Sequence, residues 1–416
     1  MRRTRLCQVV NPELLVVGID VAKSKHVAVA VAGDGRTSKP TSFQATRAGF
    51  EALVAFAEAS VKKTGSRGYV VALEPTGHYA QALVAWLLGR KIAVFSVQPS
   101  HTNKAKVLLD GTTRKTDSKD AEVIASLCRQ GFARVYRMPV GAFAELRVLS
   151  RHRQQLVKRR SQLVNRVHRH VDVIFPELMS LFPKLESATC LWVLRTIPTP
   201  VGVLKMPMEE LTGALRAVSR RQLGEERARA MRTAAEASVG VTEGLTGHRL
   251  ALEQLLGELV AVLAQISAVE KQMDAELAKV PYAALLRSVP RLGMVTTATL
   301  LGEFGDLRNY KVAKQLIAMA GLSLVEKSSG QHHGHPHISR RGRAYARQML
   351  YLAALRVGWG FLAEPRRRKV EERKGEKMHA AVANMARLLR VMHAIVRDGR
   401  PFDATRFTPR AEPMAA

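Results

Sequence analysis

The sequence predicts an α/β amino-terminal domain, a long α-helical, coiled-coil-like middle and a mainly α carboxyl-terminal domain. Three observations predict it. Short aliphatic and β-branched runs alternate with helix-periodic stretches through residues 1–140. Two long repeats with apolar residues three and four apart dominate residues 141–280. Residues 281–408 hold basic helical patterns separated by Gly- and Pro-containing turns, and 409–416 read as a disordered tail.

The strands Leu14–Asp20 and His26–Ala32 are joined across a short loop, with a turn at Gly33-Asp34-Gly35 and a weaker extended segment near Thr41–Ala45. From Arg47 to about Lys63 the pattern is helical, with Phe50, Leu53, Val54 and Phe56 on or near one face. Strand Tyr69–Leu73, helix His78–Leu88, strand Ile92–Val97 and helix Asp117–Arg129 follow. The order β-β-β-α-β-α-β-α is the layout of a ribonuclease-H-like domain, whose first strand is central. Val70-Val71-Ala72-Leu73 is apolar throughout, as expected of a strand covered on both faces.

From Ala142 to Phe175 one long helix carries the seam Leu146, Leu149, Leu156, Leu163, Val167 and Ile174. Its stretch Arg151–His170 holds seven Arg and Lys and no acid, among them Arg151, Arg153, Lys158, Arg159 and Arg160. A second heptad-like helix runs through Leu252, Leu256, Leu259, Leu263, Ile266, Met273 and Leu277. The two can pair as a hairpin within one chain or zip two chains together. Between them, residues 176–248 read as an extra helical lobe. Further on, Ser288-Val-Pro-Arg-Leu-Gly293 resembles the turn of a helix–hairpin–helix, with Arg291 where the first glycine usually stands. A loop, Glu326–His337, precedes a basic helix with Arg340, Arg341, Arg343 and Arg347, and residues 366–377 add another basic run.

A chain of 416 residues can bury more than one core. Its formal charge of +30 and pI near 10.7 call for a polyanionic partner. No apolar run approaches the roughly 20 residues that span a bilayer, so nucleic acid is the expected partner, not membrane, with Arg151, Arg153, Lys158, Arg159, Arg160, Arg291, Arg340, Arg341, Arg343 and Arg347 as its expected contacts. Cys7, Cys128 and Cys190 are scattered and outside metal spacing, which predicts a reducing cytoplasm without disulfides.

Against that basic background, four acids stand out. Asp20 ends the first apolar run, Glu74 ends a second, Gly68–Glu74, and Asp117 and Asp120 lie three apart where a helical pattern begins. Each alone has a plain explanation. Asp117 and Asp120 suit a helix start, where they cap free amides and meet the dipole; Asp20 and Glu74 suit strand-terminal turns. Together, on the right elements in the right order, they predict a site for hard divalent cations, which clamp the attacking and leaving oxygens of a phosphodiester. His332, His333, His335 and His337 suggest zinc, but without a nearby cysteine and with Gly334 and Pro336 among them they read as solvent-exposed or phosphate-contacting. Ser328-Ser329-Gly330 lies in the same loop, where the glycine permits a tight backbone that exposes a nucleophile. Gly18-Ile-Asp-Val-Ala-Lys-Ser24 also resembles the first phosphate loop of actin-like kinases, whose other glycine-rich loops are not found.

Gly18–Lys23, Leu73-Glu-Pro-Thr-Gly77, Lys115-Thr-Asp-Ser-Lys-Asp-Ala121, Ser329-Gly330 and the closing Pro401–Arg406 resemble the DEDD transposases of the insertion-sequence 110 family. The match covers residues 14–175 and 280–408. The resemblance implies a recombinase with a RuvC-like first domain, a coiled-coil connector and a carboxyl-terminal transposase domain. It implies that Asp20, Glu74, Asp117 and Asp120 bind magnesium, for which manganese can substitute. It implies that Ser329, with Ser328 as its neighbour, forms a phosphoserine link to DNA. It also implies donor and target DNA as partners, a structured noncoding guide RNA, and a homo-oligomer, dimer or tetramer. Competing readings are a Holliday-junction-type nuclease using water, an actin-like kinase or ATPase, and a non-catalytic scaffold.

Overall fold

The strand Leu14–Asp20 (β1) lies inside a six-stranded sheet because it is apolar on both faces: Leu15, Val16, Val17 and Ile19 are all fully buried. Fully burying side chains of this size contributes roughly 1.5–3 kcal/mol each. The computed structural model describes the chain apart from residues 1–9, 76, 111–116, 327–336, 359–376 and 405–416 and the side chains of 106–110, 117, 357, 358 and 377. It divides into two compact units, Met1–Met138 and Pro139–Ala416.

In the first unit β1 is followed by Lys25–Val31 (β2), Thr41–Gln44 (β3), helix Arg47–Thr64 (α1), Gly68–Leu73 (β4), helix Ala80–Gly89 (α2), Val94–Val97 (β5), helices Pro99–Asp110 (α3) and Asp117–Arg129 (α4), and Ala133–Val135 (β6). The sheet order is β3-β2-β1-β4-β5-β6. β1, β2 and β3 pair antiparallel, whereas β4 joins β1 and β5 joins β4 in parallel. This is the expected ribonuclease-H-like arrangement. α1 and α2 pack on one face against Leu15, Val17, Ile19, Val71 and Leu73. α4 packs on the other, against Val16, Val29, Val70 and Ala72. Two elements had no counterpart in the sequence reading. β6 is three residues long with Arg134 in its middle, too short to show an alternation, and α3 starts on Pro99, which suits a first helical turn but also reads as a turn.

In the second unit the long helix Ala142–Ile174 (α5) leads to five shorter helices, Leu178–Leu181 (α6), Ala188–Thr196 (α7), Pro200–Lys205 (α8), Met208–Val218 (α9) and Glu225–Glu236 (α10), and then to Leu245–Ala278 (α11). α5 and α11 pair within the chain. Arg153 meets Glu270, Arg159 meets Glu258 and His170 meets His248, so position rises on one helix as it falls on the other: the pair is antiparallel. The lobe 176–248 closes a core around one end of this pair, with Phe175, Phe182, Leu194, Leu215 and Met231 buried beside Leu252, Leu256 and Leu259. α11 corrects the expectation that no segment is long and apolar enough to span a bilayer: by length and composition alone this helix is, with a mean hydropathy of 1.5 over 18 residues. Its Leu252, Leu255, Leu256, Leu259 and Val262 are buried in the lobe core.

The chain continues through Ala283–Arg287 (α12), Met294–Phe304 (α13), Ala313–Met319 (α14), a two-stranded ribbon of Leu324–Val325 (β7) and His337–Ile338 (β8), Ala344–Gly358 (α15) and Lys377–Asp398 (α16). Leu146 of α5 and Met273 and Leu277 of α11 share one core with Leu286, Leu301, Leu350 and Leu388. The helical middle and the carboxyl-terminal part lie in one compact unit, in which the Leu146 end of α5 and the Leu277 end of α11 join the carboxyl-terminal core while the lobe 176–248 keeps a second core with the rest of the pair. Cys128 and Cys190 are free and buried, their thiols pushed up to about 12 by burial. Cys7, the basic run 366–377 save Lys377 and the tail 409–416 lie outside the described residues.

Candidate metal and nucleic-acid sites

Each acid's position follows from strand parity and helix register. β1 and β4 run parallel with Ile19 opposite Leu73. Asp20 and Glu74, the next residues of each, therefore stand side by side at one end of the sheet. Side chains alternate along a strand. Leu15, Val17 and Ile19 face the α1–α2 layer and Val16 faces α4, so Asp20 falls on the α4 face. Val70 and Ala72 face the same way, a parity that Glu74 continues.

α4 lies along β1 in the opposite direction. A Cβ placed on Gly18 would be 2.0 Å from the Ala121 carbonyl oxygen and 2.7 Å from the Ala125 amide nitrogen, so only glycine lets the helix sit this close. At the far end Arg129 reaches the Leu14 carbonyl, where β1 begins. The first turn of α4 therefore overlies the Asp20 end, and Asp120 is buried there at 6% exposure. Asp117 opens α4 three residues earlier, on the same helical face; its side chain is outside the described residues.

These residues suit a hard divalent cation by donor chemistry, being carboxylates without a thiol or imidazole in the set. Among the described residues no three His, Cys, Asp or Glu side chains are gathered as ligands. The side chain of the fourth acid, Asp117, is not among them.

One nearby residue escaped the sequence reading. The Ala22 N–H, in the turn after Asp20, donates to Nδ1 of His26 at 3.2 Å. The His26 ring lies 5.1 Å from Phe43 and 6.3 Å from Phe50. Burial holds its pKa below the ordinary value, which keeps the ring in the neutral form that accepts this bond. The turn that follows Asp20 is thus tied to an aromatic core. A histidine opening an apolar strand is a weak signal, and only the fold gives it this role.

In the second unit, the helix–hairpin–helix-like turn lies between α12 and α13, and Arg291 adopts φ 63°, the left-handed conformation that glycine usually supplies. Such a conformation costs a bulky residue roughly 1–2 kcal/mol. Arg291 is exposed, and its guanidinium donates to the Arg356 carbonyl at 3.3 Å. The other basic positions divide into two groups. Arg151 pairs with Glu303 at 2.7 Å, Arg153 with Glu270 at 2.6 Å, Arg159 with Glu258 at 3.1 Å, Arg160 with Glu186, and Arg343 with Glu303 at 3.3 Å. Arg347 donates to the Ala320 carbonyl at 3.0 Å. The expectation of an unopposed basic face on Arg151–His170 is corrected: the stretch has no acid of its own, but α11, α13 and Glu186 supply them. Lys158, Arg340 and Arg341 are exposed. Ser328, Ser329, His332, His333 and His335 lie outside the described residues, between β7 and β8; His337 is exposed within β8.

Comparison with known proteins bears on both units. A family profile described as Transposase, of the IS110 DEDD type, matches residues 17–176. A second, described as Transposase IS116/IS110/IS902 family, matches 283–364. The chain is 28% identical over 395 residues to the 44.8 kDa protein of insertion element IS116 from Streptomyces clavuligerus, covering 93% of this chain and 95% of that one. It is 25% identical over 389 residues to the 42 kDa protein of insertion element IS900 from Mycobacterium paratuberculosis, covering 92% and 95%. The pilin gene-inverting protein of Moraxella bovis is 34% identical over 124 residues, 29% of this chain and 38% of that one. Thermus thermophilus RuvC, solved in complex with a Holliday junction substrate, matches 30% of this chain and 99% of its own at 15% identity and TM-score 0.22, too slight a likeness to bear on function. With profiles matched in both units and relatives aligned nearly end to end, the chain belongs to the IS110/IS116 transposase family and is a DNA transposase/recombinase.

Proposed function

We propose that this transposase exchanges DNA strands by transesterification, with Ser329 as nucleophile, magnesium held by Asp20, Glu74, Asp117 and Asp120, and a structured noncoding RNA selecting donor and target DNA. The observation that supports the metal role is the meeting of Asp20, Glu74 and the first turn of α4 at one end of the sheet, on one face. Bound magnesium, or manganese in its place, offsets the charge that develops on the oxygens of a phosphodiester under attack. Ser329 is the residue that the family motif assigns to attack. Its Oγ forms a bond to phosphorus while the bond from phosphorus to O3′ breaks; the serine gives up its proton and the departing 3′-oxygen takes one up. A serine phosphodiester keeps the ester count unchanged, so attack by another 3′-hydroxyl rejoins DNA without external energy.

The composition supports backbone recognition of nucleic acid, with sequence choice delegated to RNA pairing. The exposed Lys158, Arg291, Arg340 and Arg341 are the proposed contacts among the expected cations. We place the protein at cytoplasmic DNA as a homo-oligomer.

The test uses wild-type protein with DNA, magnesium and the RNA encoded beside its gene. A denaturant-resistant protein–DNA adduct is expected, mapped by mass spectrometry to Ser329, with Ser328 as the neighbouring alternative. Ser329→Ala is expected to lose adduct and recombination together by ~10⁴-fold or more. Asp20→Asn, Glu74→Gln and Asp120→Asn are each expected to abolish recombination in a folded protein. Normal nicking by Ser329→Ala without an adduct identifies water as the nucleophile and rejects the serine mechanism; full cleavage in EDTA rejects the metal.

A further inference from the structure

We infer that Arg129, which no motif singles out, is a positioning residue for the carboxylate site: it sets the register of α4 on the sheet and so the spacing of Asp117 and Asp120 from Asp20 and Glu74. The inference rests on the metal reading above and concerns a residue at the opposite end of the domain. Arg129 ends α4, and its Nη2 donates to two carbonyls, that of Leu14 and that of Val31, both at 2.8 Å. Leu14 begins β1 and Val31 ends β2, so one guanidinium ties a helix end to two strand ends.

The lever is short and stiff. Nine residues of helix separate Arg129 from Asp120, about 13 Å at 1.5 Å per residue. Six residues of strand separate Leu14 from Asp20, about 20 Å at 3.3 Å per residue. Between these ends Gly18 lets the backbones of β1 and α4 touch, which fixes how close they lie. Closeness leaves sliding along the strand open, and the Arg129 bonds oppose it. The site acids stand at one end of this pair and the clamp at the other. A guanidinium suits the task because the two N–H groups of its planar Nη2 point in fixed directions, one to each carbonyl, whereas an ammonium is a point charge on a flexible stem. The last carbonyls of α4 and the ends of the two strands also favour a cation there.

The experiment compares full-length wild type with Arg129→Lys, Arg129→Met and, as a control for lost stability, Leu53→Ala. Leu53 is a buried residue of α1, which packs on the opposite face of the sheet from α4. Manganese affinity is read by electron paramagnetic resonance, and thermal unfolding is followed alongside. Both Arg129 variants are expected to bind manganese about 3- to 10-fold more weakly, below the 10- to 100-fold typical of removing a group bonded to a ligand. They are also expected to lower kcat with little change in the KM for DNA. Leu53→Ala is expected to lower the unfolding temperature and leave manganese affinity unchanged. The positioning role is overturned if Arg129→Met binds manganese like wild type, or if Leu53→Ala weakens binding equally. Wild type that fails to bind manganese at all, or binds it equally after Asp20→Asn, rejects the metal reading instead.

Discussion

Glu303 is 1% exposed and holds two arginines from different parts of the second unit, Arg151 of α5 and Arg343 just before α15. Burial by itself would raise its pKa. The hydrogen bond from Arg151 and the charges of Arg151, Arg343 and Arg147 outweigh that and hold the carboxyl below its ordinary value. A depressed carboxylate contributes stability above its unfolded-state pKa, near 4.3, and loses it as pH falls through the folded value. The urea midpoint of wild type should therefore fall more steeply below about pH 4.5 than that of Glu303→Gln. Near neutral pH Glu303→Leu should cost about 1.5–3 kcal/mol, because it removes charge-assisted hydrogen bonds to the half-exposed Arg151 and to Arg343. A loss under 1 kcal/mol in urea unfolding would show that solvent already satisfies those arginines. The same pairs explain why the basic stretch of α5 was only half legible: seven cations are visible in sequence, but Glu258, Glu270 and Glu303 lie about a hundred or more residues away and meet them only when the helices pack.

At the scale of elements, the contact of β1 with α4 carries the site. Gly18→Ala puts a methyl 2.0 Å from a backbone carbonyl that no rotamer change can move. The helix must lift or slide, a change that typically costs about 1–3 kcal/mol. Because Asp117 and Asp120 ride on that helix, recombination should fall by about 100-fold or more, the usual effect of an ångström of misplacement. A Gly18→Ala protein of normal activity would mean that α4 and the acids move independently. The glycine was visible in the motif Gly18-Ile-Asp20, but the reason for it was not, since Ala121 is about a hundred residues distant. Element positions were legible where a pattern was long enough: β1 was read at its observed bounds and α4 likewise, whereas the three-residue β6 offered no pattern.

For the whole molecule the governing quantity is the charge of +30. Many of the expected contacts on α5 are neutralised internally, yet 65 basic residues against 35 acidic ones leave a large excess elsewhere. Affinity for a structured RNA should fall with log[salt] at a slope of about −4 or steeper, the release expected from four or five phosphate contacts. Lys158→Gln with Arg341→Gln should flatten that slope by about one to two. An unchanged slope would move the footprint to other faces, and undiminished binding at high salt would argue against backbone recognition altogether.

The sequence by itself determined the ribonuclease-H-like order of the first unit, the places of the four acids at the ends of its elements, the two long helices and the family, because periodicity and motif spacing are properties of neighbours in the chain. Only the tertiary structure decided the rest. Pairing of α5 with α11 inside one chain, the core shared by the helical middle and the carboxyl-terminal helices, the ion pairs that occupy Arg151, Arg153, Arg159, Arg160 and Arg343, and the clamp of Arg129 on two strands all depend on residues far apart in sequence. A cation in a sequence has no partner until packing brings one within reach, and in this protein distant acids and carbonyls took up much of the charge first assigned to nucleic acid.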